Sequence, residues 1–134
     1  PMEGAEGWQL SNAPVLSMAA HKASLDIFIE AGMKSIGDKR DKLTSYLQFI
    51  IEELNVKHDA GIKIITPLNN EERGCQLSLI VKQGKELFNK ISAKGIVADW
   101  REPDVIRMAP VPLYNSFEDL FLFGEILRNV INEN

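Results

Sequence analysis

The run Val105-Ile-Arg-Met-Ala-Pro-Val-Pro-Leu-Tyr-Asn-Ser116 constrains this chain more tightly than any other stretch. Residues 105–109 are β-branched and apolar enough to predict a strand. Alternation along it sets Arg107 on one face with Val105 and Ala109, and Ile106 and Met108 on the other. Pro110 and Pro112 cannot donate to a ladder and hold their preceding residues extended, so the strand stops there and the chain turns out. Ser116, with Glu118 and Asp119 behind it, predicts the cap of a closing helix whose first turn suits acidic residues. One face of the strand therefore carries a fixed cation.

Upstream, the hydrophobic period is helical. Leu16, Ala19, Ala20, Ala23, Leu25, Ile27 and Phe28 predict a helix over residues 15–31, with Gly32 as its C′ residue. A second helix is predicted over 33–54, with Ile36, Leu43, Tyr46, Leu47, Ile50, Ile51 and Leu54 as the buried stripe. Lys39, Arg40, Asp41, Lys42, Glu52 and Glu53 read as its solvated side. The period then changes to two: strands are expected over 62–66 and 75–81, joined by a polar surface connection, 67–74, that holds Asn69, Asn70, Glu71, Glu72 and Arg73.

Residues 84–94 predict a short helix burying Leu87, Phe88 and Ile91, closed by Gly95. A strand over 96–100 leads through Arg101-Glu-Pro-Asp104 into the Arg107 strand as a hairpin. The last helix, 117–132, turns Leu120, Phe121, Phe123, Leu127 and Val130 or Ile131 inward. Helix, helix, strand, strand, helix, strand, strand, helix is an α+β pattern: a small, mostly antiparallel sheet covered by helices on one side. The other sheet face meets solvent or another domain.

At 134 residues, 45% hydrophobic and 25% charged, the chain fits one ordinary globular domain. A net charge of −4 without a basic cluster leaves no footprint for nucleic acid or an anionic membrane surface. The single Cys75 cannot form an internal disulfide, and no signal peptide or long apolar span is visible, so a cytoplasmic location is expected. Pro1 stands first and residues 1–7 read as a polar lead-in, so the chain is expected to be a piece of something longer.

Most chemical signatures are missing. His21 and His58 lack ligand-spaced neighbours, so no metal site is expected. Cys75 has no Cys-x-x-Cys partner and reads as a buried structural thiol in a strand. No glycine-rich phosphate loop occurs, and the adjacent carboxylates Glu52–Glu53 and Glu71–Glu72 fit solvated surface better than acid/base work. Two features remain. Ser11 and Asn12 precede Pro14, where either side chain would serve as a helix cap. Arg107 either pairs internally with Asp99, Glu102 or Asp104, or offers its planar fork to a carboxylate ligand; strand logic alone favours the internal pair.

Trp8-Gln-Leu-Ser-Asn-Ala-Pro14, Glu71-Glu-Arg-Gly-Cys-Gln-Leu77 and Ile106-Arg-Met-Ala-Pro-Val-Pro-Leu-Tyr-Asn-Ser-Phe-Glu-Asp119 together resemble the carboxy-terminal part of the kynureninase family, over nearly the whole chain. The resemblance implies that residues 1–134 are the small C-terminal domain of a fold-type-I pyridoxal 5'-phosphate enzyme, with 1–14 a lead-in carrying the Ser-Asn motif. Such an enzyme is a homodimer that hydrolyses kynurenine or 3-hydroxykynurenine to anthranilate or 3-hydroxyanthranilate plus alanine. Arg107 would bind the substrate α-carboxylate, Asn12 would lie at the cofactor and the aryl group, and Ser11 would line the same pocket. Ala13 stands where many relatives carry a second proline.

The cofactor-bearing lysine, the aspartate facing the pyridine nitrogen and the phosphate-binding residues have no counterpart here. The resemblance thus implies no catalytic residue in this chain, a cofactor held mainly by a large domain, and no activity of this polypeptide alone. Two other readings stand beside it. One is the small domain of another pyridoxal enzyme, such as a cysteine desulfurase; the other is a non-enzymatic α+β domain that binds a protein through its open sheet face.

Overall fold

The switch from period 3.6 to period two after the second helix is realised in a computed structural model that describes residues 2–133. Two units are distinguished, one ending at Ser35 and one beginning at Ile36. The first holds a 3-10 turn, Ala5–Trp8, and helix α1, Val15–Ala31. Pro14 takes the N-cap position without a side-chain hydrogen bond, so neither Ser11 nor Asn12 caps the helix. Gly32 ends it at φ 76°, its N–H reaching the Phe28 carbonyl at 2.9 Å. That left-handed backbone explains why glycine stands there. The apolar residues of α1 surround its axis instead of forming one stripe, and none of its side chains is buried.

The second unit carries most of α2, Met33–His58, followed by β1 Lys63–Ile64, β2 Leu77–Ile80, α3 Gly84–Ala93, β3 Asp99–Arg101, β4 Val105–Met108 and α4 Phe117–Asn132. The strands form one antiparallel sheet in the order β1-β2-β4-β3. Alternation works as expected. Leu77 and Leu79 of β2 and Ile106 and Met108 of β4 enter one core with Leu43, Leu47 and Ile51 of α2, Ile91 of α3, and Leu127 and Val130 of α4. α4 comes so near α2 that a Cβ on Gly124 would sit 3.1 Å from Ile50 Cγ2, which accounts for a glycine inside that helix.

Several expectations need correction. α2 runs one turn further than 54, and the Asn55 side chain then clips the exit by accepting from Ile62 N (2.9 Å) and donating to Ile62 O (2.7 Å). In the α2 stripe Ile36 and Tyr46 are only half-buried, whereas Thr44 is fully buried, its hydroxyl donating to the Arg40 carbonyl at 2.9 Å. Phe88 is half-buried, and Phe121 points outward, 53% exposed. Cys75 precedes β2 and is half-buried, and burial pushes its thiol pKa up.

The connection 67–74 is not uniformly solvated. It contains a 3-10 turn, Asn70–Glu72, and Arg73 is buried, donating to Asn70 Oδ1 (2.7 Å from Nη2) and to Gln48 Oε1 of α2 (3.3 Å). Lys39 likewise leaves the solvated set, since its ammonium donates to the Pro112 carbonyl at 2.7 Å. That bond anchors the proline-rich exit of β4 to α2. Within the exit, Val111 N donates to Asn115 Oδ1 at 2.9 Å and Asn115 N to the Val111 carbonyl at 2.7 Å, closing the turn before α4.

α4 begins with a capping box: Asp119 N donates to Ser116 Oγ (3.1 Å) and Ser116 N donates to Asp119 Oδ2 (2.8 Å). The backbone bond from Ser116, with the Asn115 amide and the charge of Lys39, holds the Asp119 carboxyl below the usual carboxylate range. Ser116→Ala is expected to cost about 1 kcal/mol in urea denaturation at neutral pH. A carboxyl depressed in the folded state stabilises above its unfolded pKa, about 3.9 for aspartate, and loses that effect as pH falls through the folded value. Asp119→Asn is therefore expected to lower the urea midpoint at pH 7 and to have a progressively smaller effect as pH falls below the unfolded aspartate value of about 3.9.

Candidate functional site

β4 presents Arg107 because its neighbours Ile106 and Met108 are fixed in the core, which leaves the side chains of Val105 and Arg107 on the opposite face of the sheet. Register supplies the surroundings. Arg107 stands between Ser78 of β2 and Asp99 of β3, and Val105 between Ile80 and Arg101. Of the three acids considered as partners, Asp99 is the one engaged: Arg107 Nε donates to Asp99 Oδ2 at 2.6 Å, and Nη2 contacts the same oxygen. Glu102 instead accepts from the Trp100 indole at 2.8 Å.

The pairing leaves the cation partly open. Arg107 is bound through Nε and Nη2, to one carboxylate oxygen, and Nη1 meets no acceptor among the described residues, which leaves that end of the guanidinium open. Its side chain retains 33% exposure, and Asp99 retains 49%. Arg101, two residues from Asp99 on β3, donates from Nε to the same Asp99 Oδ2 at 2.8 Å. First the Arg107 hydrogen bond, and then that of Arg101, hold the Asp99 carboxyl below its ordinary range against an opposing effect of burial. Asp99 is thus an anion shared by two guanidiniums, and at neutral pH the trio keeps an excess of positive charge.

A cleft of about 550 Å³ opens elsewhere in this unit, against Ala98, Met108, Pro110, Tyr114 and Phe123, and Arg107 is not among its lining residues. The arginine is offered on a sheet face. Ser11 and Asn12 belong to the first unit, at a bend before α1, and both are exposed. Their hydroxyl and amide provide uncharged donors and acceptors. Asp99 had been one of three candidate partners for Arg107; Arg101, sharing its carboxylate, had carried no expected role. Its signal was the spacing Asp99-x-Arg101, which sets both on one face of a strand.

Residues 36–127 match the family model described as the kynureninase C-terminal domain, a segment that begins where the second unit begins. The chain is 49% identical over 135 residues to a kynureninase of Flavobacterium psychrophilum, covering 100% of this chain and 32% of that protein. It is 50% identical over 132 residues to a kynureninase of Flavobacterium johnsoniae, covering 98% and 31%. With a kynureninase of Xanthomonas oryzae pv. oryzae the identity is 50% over 127 residues, covering 92% and 29%. The chain therefore spans about a third of the length of these curated relatives.

Among solved structures, a NifS-like protein superposes with a TM-score of 0.74 at 22% identity, covering 92% of this chain and 35% of that one. An acetylornithine aminotransferase from Elizabethkingia anophelis superposes at 0.64 with 20% identity, covering 84% and 27%. These likenesses show a shared fold, the small antiparallel sheet wrapped by helices. By the family match and by the identity it keeps with its relatives along nearly its whole length, this chain belongs to the kynureninase C-terminal domain family.

Proposed function

We propose that this domain serves a pyridoxal 5'-phosphate-dependent kynureninase that hydrolyses kynurenine or 3-hydroxykynurenine to anthranilate or 3-hydroxyanthranilate plus alanine, as a cytoplasmic homodimer. The observation that carries the reading is the open Nη1 end of the Arg107 guanidinium on a half-open sheet face. A planar guanidinium suits the two oxygens of an amino acid's carboxylate. In this reading Arg107 binds the substrate α-carboxylate and takes no part in proton transfer.

The donor set tests how this chain meets the cofactor. Asn12 is exposed and its amide both donates and accepts, which fits the edge of a cofactor ring or an aryl ketone; the neighbouring Ser11, also exposed, adds a hydroxyl. Neither brings the charge that a phosphate needs, so the main hold on the cofactor is assigned to the large domain of the family. When bound, the cofactor supplies the electron sink for carbon–carbon cleavage. What this chain contributes is orientation: Arg107 binds the carboxylate of the substrate, and Asn12 offers an uncharged donor and acceptor to the cofactor or the aryl group.

In a full-length kynureninase chain carrying this domain, Arg107→Lys is expected to lower kcat/KM for kynurenine on the order of tenfold to a hundredfold, because an ammonium replaces a charged two-point contact. Kinetics equal to the parent enzyme would return Arg107 to a purely structural role. The purified 134-residue chain is expected to show no saturable kynurenine hydrolysis when pyridoxal phosphate is added, read by anthranilate fluorescence. Turnover by that chain would overturn the assignment of the cofactor-bearing lysine to the large domain.

A further inference from the structure

Asp99 is more than the internal partner of Arg107, and its geometry assigns it a part in substrate recognition. The two residues are direct cross-strand partners in the β3–β4 hairpin, so backbone pairing places the carboxylate beside the guanidinium without help from flexible elements. All three guanidinium contacts, from Arg107 Nε and Nη2 and from Arg101 Nε, fall on the single oxygen Oδ2. The carboxylate therefore grips Arg107 from the side. A carboxylate placed end-on would cover the Nη1 end that a ligand needs.

We propose that Asp99 is a positioning residue for substrate binding: it holds Arg107 through Nε and Nη2, with Arg101 donating to the same carboxylate oxygen, so that the open Nη1 end of the guanidinium is presented ready-made to the substrate carboxylate. The proposal rests on the reading of Arg107 as the carboxylate clamp. An ordinary surface ion pair has a different signature, since such pairs contribute little and their loss leaves ligand affinity unchanged. A side chain as long as arginine loses rotamer freedom when it binds, and a partner that restricts it beforehand lessens that loss.

The test uses a full-length kynureninase chain carrying this domain, with Asp99→Asn, Asp99→Glu, Arg107→Lys and the Asp99→Asn/Arg107→Lys double variant. Two quantities are read for each: kcat/KM for kynurenine, and the inhibition constant of 2-aminoacetophenone, an aryl ketone with no amino-acid carboxylate. Asp99→Asn is expected to reduce kcat/KM on the order of tenfold, the scale of a hydrogen bond to a charged group, and to leave the inhibition constant unchanged. Asp99→Glu should recover most of the loss, and Asp99→Asn should add little in the Arg107→Lys background, since the two residues act as one unit.

An unchanged kcat/KM in Asp99→Asn, with Arg107→Lys impaired, would overturn the positioning role alone. Weakening of 2-aminoacetophenone in parallel with kcat/KM would also overturn it, as general damage to the site. A neutral Arg107→Lys would remove the clamp itself, and the role of Asp99 with it.

Discussion

Burial of one face of a four-stranded sheet beneath α2, α3 and α4 is the constraint from which the position of every candidate functional group in the second unit follows. Ile106 and Met108 fill that core, so the pleat allows Arg107 only the other side. A slip of one residue in β4 would exchange them and drive a guanidinium among Leu43, Ile51 and Leu127. The cost of burying such a charge among apolar groups far exceeds that of any ordinary packing fault. The core thereby aims the cation, so the placement of Arg107 is a by-product of hydrophobic patterning that has no chemical role of its own.

Element type was readable because the hydrophobic period changes cleanly from 3.6 to two beyond α2. What the period cannot report is whether a helix has a covered face. The apolar residues of α1 predict the helix that forms, yet they lie around its axis and none is buried. Polar residues that turn inward are equally hidden from pattern reading. Arg73 and Lys39 look like surface charges in sequence; one is buried by side-chain amides at 70 and 48, the other drawn down to a backbone carbonyl at Pro112. Gln48 for Arg73 and the Pro112 carbonyl for Lys39 are brought in by tertiary approach, about which local sequence carries no signal, although Asn70 stands only three residues from Arg73.

The Arg107 environment shows how small an error decides a site. With strands at 96–100 and 105–109 and a four-residue link, residue 100 would pair with 105 and Ala98 would stand opposite Arg107, leaving Asp99 on the helix face. The observed link is three residues, 102–104, so Arg101 pairs with Val105 and Asp99 with Arg107. Hairpin loop length sets register, and register sets which side chains meet. For Ser11 and Asn12 the obstacle was different. Capping predicts a local partner for such residues, but Pro14 occupies the cap position and neither side chain makes that bond.

A carboxylate beside a binding site for carboxylates looks self-defeating, since Asp99 repels the ligand that Arg107 is read to attract. Arg101 resolves the conflict. With two guanidiniums sharing one aspartate, the sheet face keeps a net positive charge while Arg107 is still held from the side. Removing Arg101 from this arrangement would leave Arg107 positioned but electrostatically neutralised; removing Asp99 would leave two like charges near one another and free to diverge. Only the three together give a fixed guanidinium and an attractive field, which is why the local repeat of aspartate and arginine on β3 matters as much to the candidate site as the arginine on β4.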